Sequence, residues 1–133
     1  MRRMPHRDVD GDRGSSPAEF VLVAALLTVL TLTVLQLALA LHVRNTVLDA
    51  AAEGARYGSL ADSGLDAGAA RTRDLITVAL GPAFATDVTA TYASDGGYPT
   101  VRMRVVAPLP LLGLLGPDRS LEVVGRAVVE GSG

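Results

Sequence analysis

From Phe20 to Leu41 the chain runs for 22 residues without an Asp, Glu, Lys, Arg or His. Thr28, Thr31, Thr33 and Gln36 are its only polar members. At about 1.5 Å of rise per residue, a helix of this length reaches roughly 33 Å, enough to cross a hydrocarbon layer of about 30 Å. A helix satisfies its own backbone hydrogen bonds and so suits such a layer. Setting a membrane segment aside leaves about 90 residues, one small domain at most. A helix buried in so small a domain would need a polar face, and this run has none.

Orientation follows the count of basic residues on either side. Arg2, Arg3, Arg7 and Arg13 precede the run, and only Arg44 and Arg56 follow it closely. This bias places the N-terminus in the cytoplasm and the downstream domain outside. Ala38-Leu39-Ala40 offers an A-x-A site for a secretory signal peptidase. The run exceeds the apolar core of about 7–15 residues that such signals carry, and Glu19 abuts its start. An anchor that signal peptidase does not release is the better reading.

Locally, Ser16-Pro17-Ala18-Glu19 spells the start of a helix. Ser16 suits the N-cap, Pro17 the first helical position and Glu19 the third, so Ser16 and Glu19 form a capping box. That accounts for the Ser and the Pro. A carboxylate at the mouth of a membrane span is costly unless it stays interfacial or finds a partner. A basic leader ending at Gly14, then four residues, Glu19 and an unbroken apolar helix resembles the class III signal sequence cleaved by prepilin peptidases. The resemblance implies cleavage between Gly14 and Ser15, and an assembly role for Glu19 in pairing with a terminal amine.

The helical pattern continues past His42 to about Ser59. Val47, Ala51, Gly54, Ala55 and Gly58 recur at steps of three, four and seven, making one narrow face of small residues. That face serves either to pack on the domain's own sheet or to approach another helix in an oligomer. Ala51-Ala52-Glu53-Gly54-Ala55-Arg56-Tyr57, preceded by Arg44-Asn45, resembles the signature of TadE-like proteins, the pseudopilins of tight-adherence (Flp) pilus loci. Arg44, Asn45, Glu53, Gly54, Ala55, Arg56 and Tyr57 stand where that family's order expects them. The resemblance implies a structural role beside other pilin-like subunits and pilus assembly proteins, and processing by a prepilin peptidase.

The remainder reads as α+β. A second helix is expected from Leu65 to Leu80, stopped by Gly81-Pro82, with Leu65, Ala69, Leu75, Ile76, Ala79 and Leu80 on its apolar side. Val88, Ala90 and Tyr92 alternate with polar residues, Ser94-Asp95-Gly96-Gly97 is a turn, and Thr100 to Ala107 alternates again, giving a hairpin. A third strand is expected from Leu121 to Val129, with Leu121, Val123, Ala127 and Val129 facing in. The expected organisation is a leader over 1–14, a membrane helix with its extension over 15–59, and a small extracytoplasmic domain over 60–133. That domain carries the second helix and a three-stranded antiparallel sheet. The apolar, Gly- and Pro-broken stretch 108–117 is too short to span a membrane. It either caps the small core or forms an exposed patch.

The sequence offers no catalytic set. There is no Cys, and His6 and His42 are the only histidines. Asp8-Val9-Asp10-Gly11-Asp12 imitates part of a Ca²⁺ loop without the remaining ligands. We expect no cofactor, no metal and no enzyme activity. The net charge of −2 argues against a nucleic-acid partner. The alternative to a pseudopilin is an unprocessed single-pass protein with a small extracytoplasmic binding domain.

Overall fold

The computed structural model describes residues 6–109 and 120–130, with side chains from Ser15 onward. The chain divides into two compact units, Met1–Gln36 and Leu37–Gly133. Helix α1 runs His6–Gly58 and α2 runs Leu65–Leu80. A 3-10 turn, Pro82–Ala85, leads into β1 (Asp87–Asp95), β2 (Tyr98–Pro108) and β3 (Ser120–Val128). The fold is α+β: a long N-terminal apolar helix, a second helix and a three-stranded antiparallel sheet with β2 in the middle.

The described residues of the first unit all belong to α1. Its large apolar side chains are exposed: Phe20 is 74% exposed and Leu30 58%. The expected capping box is overturned here. Helix α1 begins at His6 and carries Pro17 inside it, so Ser16 is an interior residue and not an N-cap. Pro17 lacks one backbone donor, and the helix runs through it at the loss of that bond. Capping preference is a local tendency that a favourable upstream turn overrides.

In the second unit the end of α1, α2 and one face of the sheet enclose a single core. Val47, Ala51 and Ala55 of α1 meet Ile76 of α2 and Val101, Met103 and Val105 of β2, all of them fully buried. The sheet register explains the alternation. Ala90 and Gly125 flank Met103, while Val88 and Val123 flank Val105, so one pleat face is apolar throughout. The opposite face carries Thr89, Thr91, Arg102, Arg104 and Arg126.

Two stops set the chain's turns. The hairpin closes through Gly96 (φ +59°) and Gly97 (φ +87°) between the paired Asp95 and Tyr98, a two-residue turn needing positive φ twice. Helix α2 ends where the N–H of Gly81, at φ +106°, donates to Thr77 O before Pro82. The C-terminal strand is tied back to α1 by Glu130 N–H donating to Ser59 O at 2.7 Å.

Three expectations shift in detail. Tyr92 is 60% exposed although its neighbour Val101 is buried, because it lies towards the turn end of the hairpin. Ala79 faces solvent. β3 stops at Val128, and the N–H of Val129 donates instead to Pro99 O. Of the stretch 108–117, residues 110–117 lie outside the described residues.

On the polar sheet face Arg104 Nε donates to Glu122 Oε1 at 2.9 Å and its second nitrogen to Oε2 at 3.2 Å. This bidentate pair holds the Glu122 carboxyl below its ordinary range, first through the hydrogen bond and then through charge. A carboxyl with a lowered folded-state pKa contributes stability above its unfolded value and loses it as pH falls through the folded one. The difference in thermal midpoint between wild type and Glu122→Gln should therefore be present at neutral pH and vanish in acid, below the usual carboxylate range. A difference that persists unchanged at low pH would show that the pair contributes nothing through ionisation.

Candidate functional site

The residues singled out in the sequence fall into three places on α1. Gly14 and Ser15 lie in its first unit, upstream of the apolar run, with Ser15 exposed. Glu19 is exposed at the head of the run. It has no ion-pair or hydrogen-bond partner among the described residues. The signature residues lie in the second unit.

The signature itself divides by face. Gly54 and Ala55 are buried, whereas Arg44, Asn45, Arg56 and Tyr57 are exposed and Glu53 is half-buried. The buried members have a packing task. A Cβ on Gly54 would stand 1.6 Å from Thr72 Oγ1 and 2.8 Å from Gly68 O; one on Gly68 would stand 2.7 Å from Gly54 O. α1 and α2 thus cross backbone to backbone at Gly54, Gly58 and Gly68. Thr72, fully buried in this seam, donates its hydroxyl to Gly68 O at 2.9 Å and leaves no polar atom unmet there.

Beside this crossing, a Cβ on Gly125 of β3 would lie 2.5 Å from Ala51 C and Ala52 N. The small-residue face is therefore occupied by the domain's own sheet and its own second helix. It offers no free seam to an oligomer. Gly68, Thr72 and Gly125 were not singled out in the sequence. Glycine carries no hydropathy, and the Thr sits on an apolar stripe only because its hydroxyl is satisfied one turn back.

The exposed members form a polar ridge. Arg56 donates to Glu53 one turn back, an exposed pair of little energetic weight. Shallow grooves lie on either side of Glu53, one towards Leu75 and Ala79 of α2, the other towards Arg126 and Ala127 of β3. Among the described residues Arg44 and Asn45 have no side-chain hydrogen bond or ion pair, and Tyr57 lies partly exposed beside Ala67 and Ala70 of α2. Among the described residues no group of three or more His, Cys, Asp or Glu is placed to hold a metal ion.

Among the described residues the chain has one helix long and apolar enough to cross a membrane, with no buried residue in its most apolar stretch, and a small α+β domain follows it. Residues 14–56 match the family model for TadE-like protein, so the TadE-like resemblance read from the Arg44–Arg56 signature is borne out over that segment. No curated protein and no solved structure matches the chain. In general terms the family match supports a protein associated with a tight-adherence pilus.

Proposed function

We propose that the chain is a TadE-like minor pseudopilin, a structural component of a tight-adherence type pilus or related secretion assembly and not an enzyme. In this reading α1 is held in the membrane through its apolar run, with the N-terminus cytoplasmic and the α+β domain extracytoplasmic. Leader removal frees Ser15 as the new terminus, and the helix then associates with those of other pilin-like subunits. The observation that carries it is the coincidence, inside the matched segment 14–56, of an uncovered apolar helix with Glu19 at its head. Large apolar side chains exposed from Phe20 through Leu41 need lipid or other helices around them.

A prepilin-type peptidase should remove residues 1–14. Cleavage would put Pro17 in the first turn of the shortened helix, where a missing donor costs nothing. Mass spectrometry of the membrane-extracted protein should find Ser15 at the N-terminus, and Gly14→Leu should leave the leader attached. An intact Met1 in a cell with active peptidase would overturn processing. It would favour the second reading, an unprocessed single-pass protein with a small extracytoplasmic binding domain. The continuity of α1 back to His6, upstream of the cleavage point, is the observation on that side.

A further inference from the structure

Inside the apolar run the polar groups are not equally provided for. Thr28 Oγ1 donates to Ala24 O and Thr33 Oγ1 to Val29 O, each at 2.8 Å, so both hydroxyls are satisfied within the helix. Thr31 can turn its hydroxyl to the carbonyl one turn back in the same way. A carboxamide has two N–H donors and an acceptor and cannot do this. Gln36 has no hydrogen-bond partner among the described residues. Nor can it reach water easily. It lies six residues before His42, roughly 9 Å short of the first ionisable residue beyond the run, and helical side chains lean towards the N-terminus, away from that end.

We propose that Gln36 pairs with Gln36 of a second copy of this chain, joining two α1 helices side by side in the membrane. This rests on the membrane-spanning reading of α1. Two features select a second copy over another apolar helix. A carboxamide is complementary to itself, so a two-fold pair satisfies a donor and an acceptor on each side. Every copy enters the membrane in one direction, so the partner's amide arrives at the same depth by construction.

The helix surface around Gln36 suits such a seam. Leu22, Ala25, Val29, Leu32 and Gln36 follow at steps of three and four, the spacing of a parallel helix pair, with Gln36 the single polar position that fixes register. Glu19 lies about 100° away around the helix and Thr31 about 140° away, so the seam brings no carboxylates together.

The chain has no cysteine, so single-cysteine variants report contacts cleanly. In full-length protein in membranes, oxidation should cross-link Leu32→Cys or Val29→Cys into a homodimer and leave Thr31→Cys largely monomeric. Adding Gln36→Leu should weaken the Leu32→Cys dimer roughly 3- to 30-fold, the range expected for interhelical polar contacts in membranes. Gln36→Asn should retain part of it. Equal cross-linking at positions 31 and 32, an unchanged dimer in Gln36→Leu, or cross-links only to a different membrane protein would each overturn the pairing. Carbonate extraction of the same variants separates the two levels. A chain washed out of the membrane defeats the spanning reading itself, whereas a resistant chain that stays monomeric defeats only the Gln36 pair.

Discussion

Gly125→Ala should destabilise the α+β domain by about 3 kcal/mol, the upper end of the usual cost of overpacking. The added Cβ would stand 2.5 Å from Ala51 C, 2.5 Å from Ala52 N and 2.6 Å from Ala51 O. All three are backbone atoms of a regular helix, so no side chain can turn aside to make room. Either α1 lifts from the sheet, opening the contacts of Val47, Ala51 and Ala55, or β3 shifts against Met103. For a domain of this size the loss corresponds to about 10–25 °C in thermal midpoint. Thr91→Ala, on the exposed face, should move the midpoint far less. Circular dichroism of the full chain in detergent reads both. A shift of only a few degrees for Gly125→Ala would mean that the helix rides over the sheet and that this close approach does not fix their spacing.

What the sequence revealed and what it hid divide along physical lines. Helix α2 was legible to the residue because Gly81-Pro82 stops it and Leu and Ile recur at helical spacing. The hairpin was legible because Gly96-Gly97 can take two positive φ angles in succession. The buried face of α1 was also visible, since Val47, Ala51, Gly54, Ala55 and Gly58 share one helical side. Its occupant was not. Gly68 and Gly125 take part by lacking a side chain, and a hydropathy pattern is blind to atoms that are absent. The capping box at Ser16 and Glu19 failed for a different reason. A Ser-Pro pair reads equally well as a helix start or as an interior irregularity, and only the residues upstream decide. Of the signature, Gly54 and Ala55 have a packing reason, whereas Arg44, Asn45 and Tyr57 stand exposed. Those three are where partner contacts are best sought.

Glu19→Gln should leave membrane insertion and cleavage after Gly14 intact while weakening association with partner pilins by more than a hundredfold. Three roles are open to a carboxylate at this position, and they differ in magnitude. As an exposed residue in the interior of α1 it would matter little, and Gln would be silent. Near the N-terminus of a processed helix it would meet the positive end of the helix dipole, worth about 0.3–1 kcal/mol, so Gln would cost at most about fivefold. Paired with a terminal amine among packed apolar helices, it would neutralise two charges in a medium that solvates neither. Gln keeps the shape but strands the amine, and an unpaired buried charge costs about 3 kcal/mol or more. Co-purification from membranes, with the N-terminus verified by mass spectrometry in each variant, therefore reads the role directly. Wild-type recovery of partners by Glu19→Gln would reduce this residue to a polar head on the helix. A loss of fivefold or less would assign it to the dipole. Only a loss near or beyond a hundredfold supports the buried pair, and in that case Glu19→Asp, one methylene shorter, should recover part of the association because the charge remains.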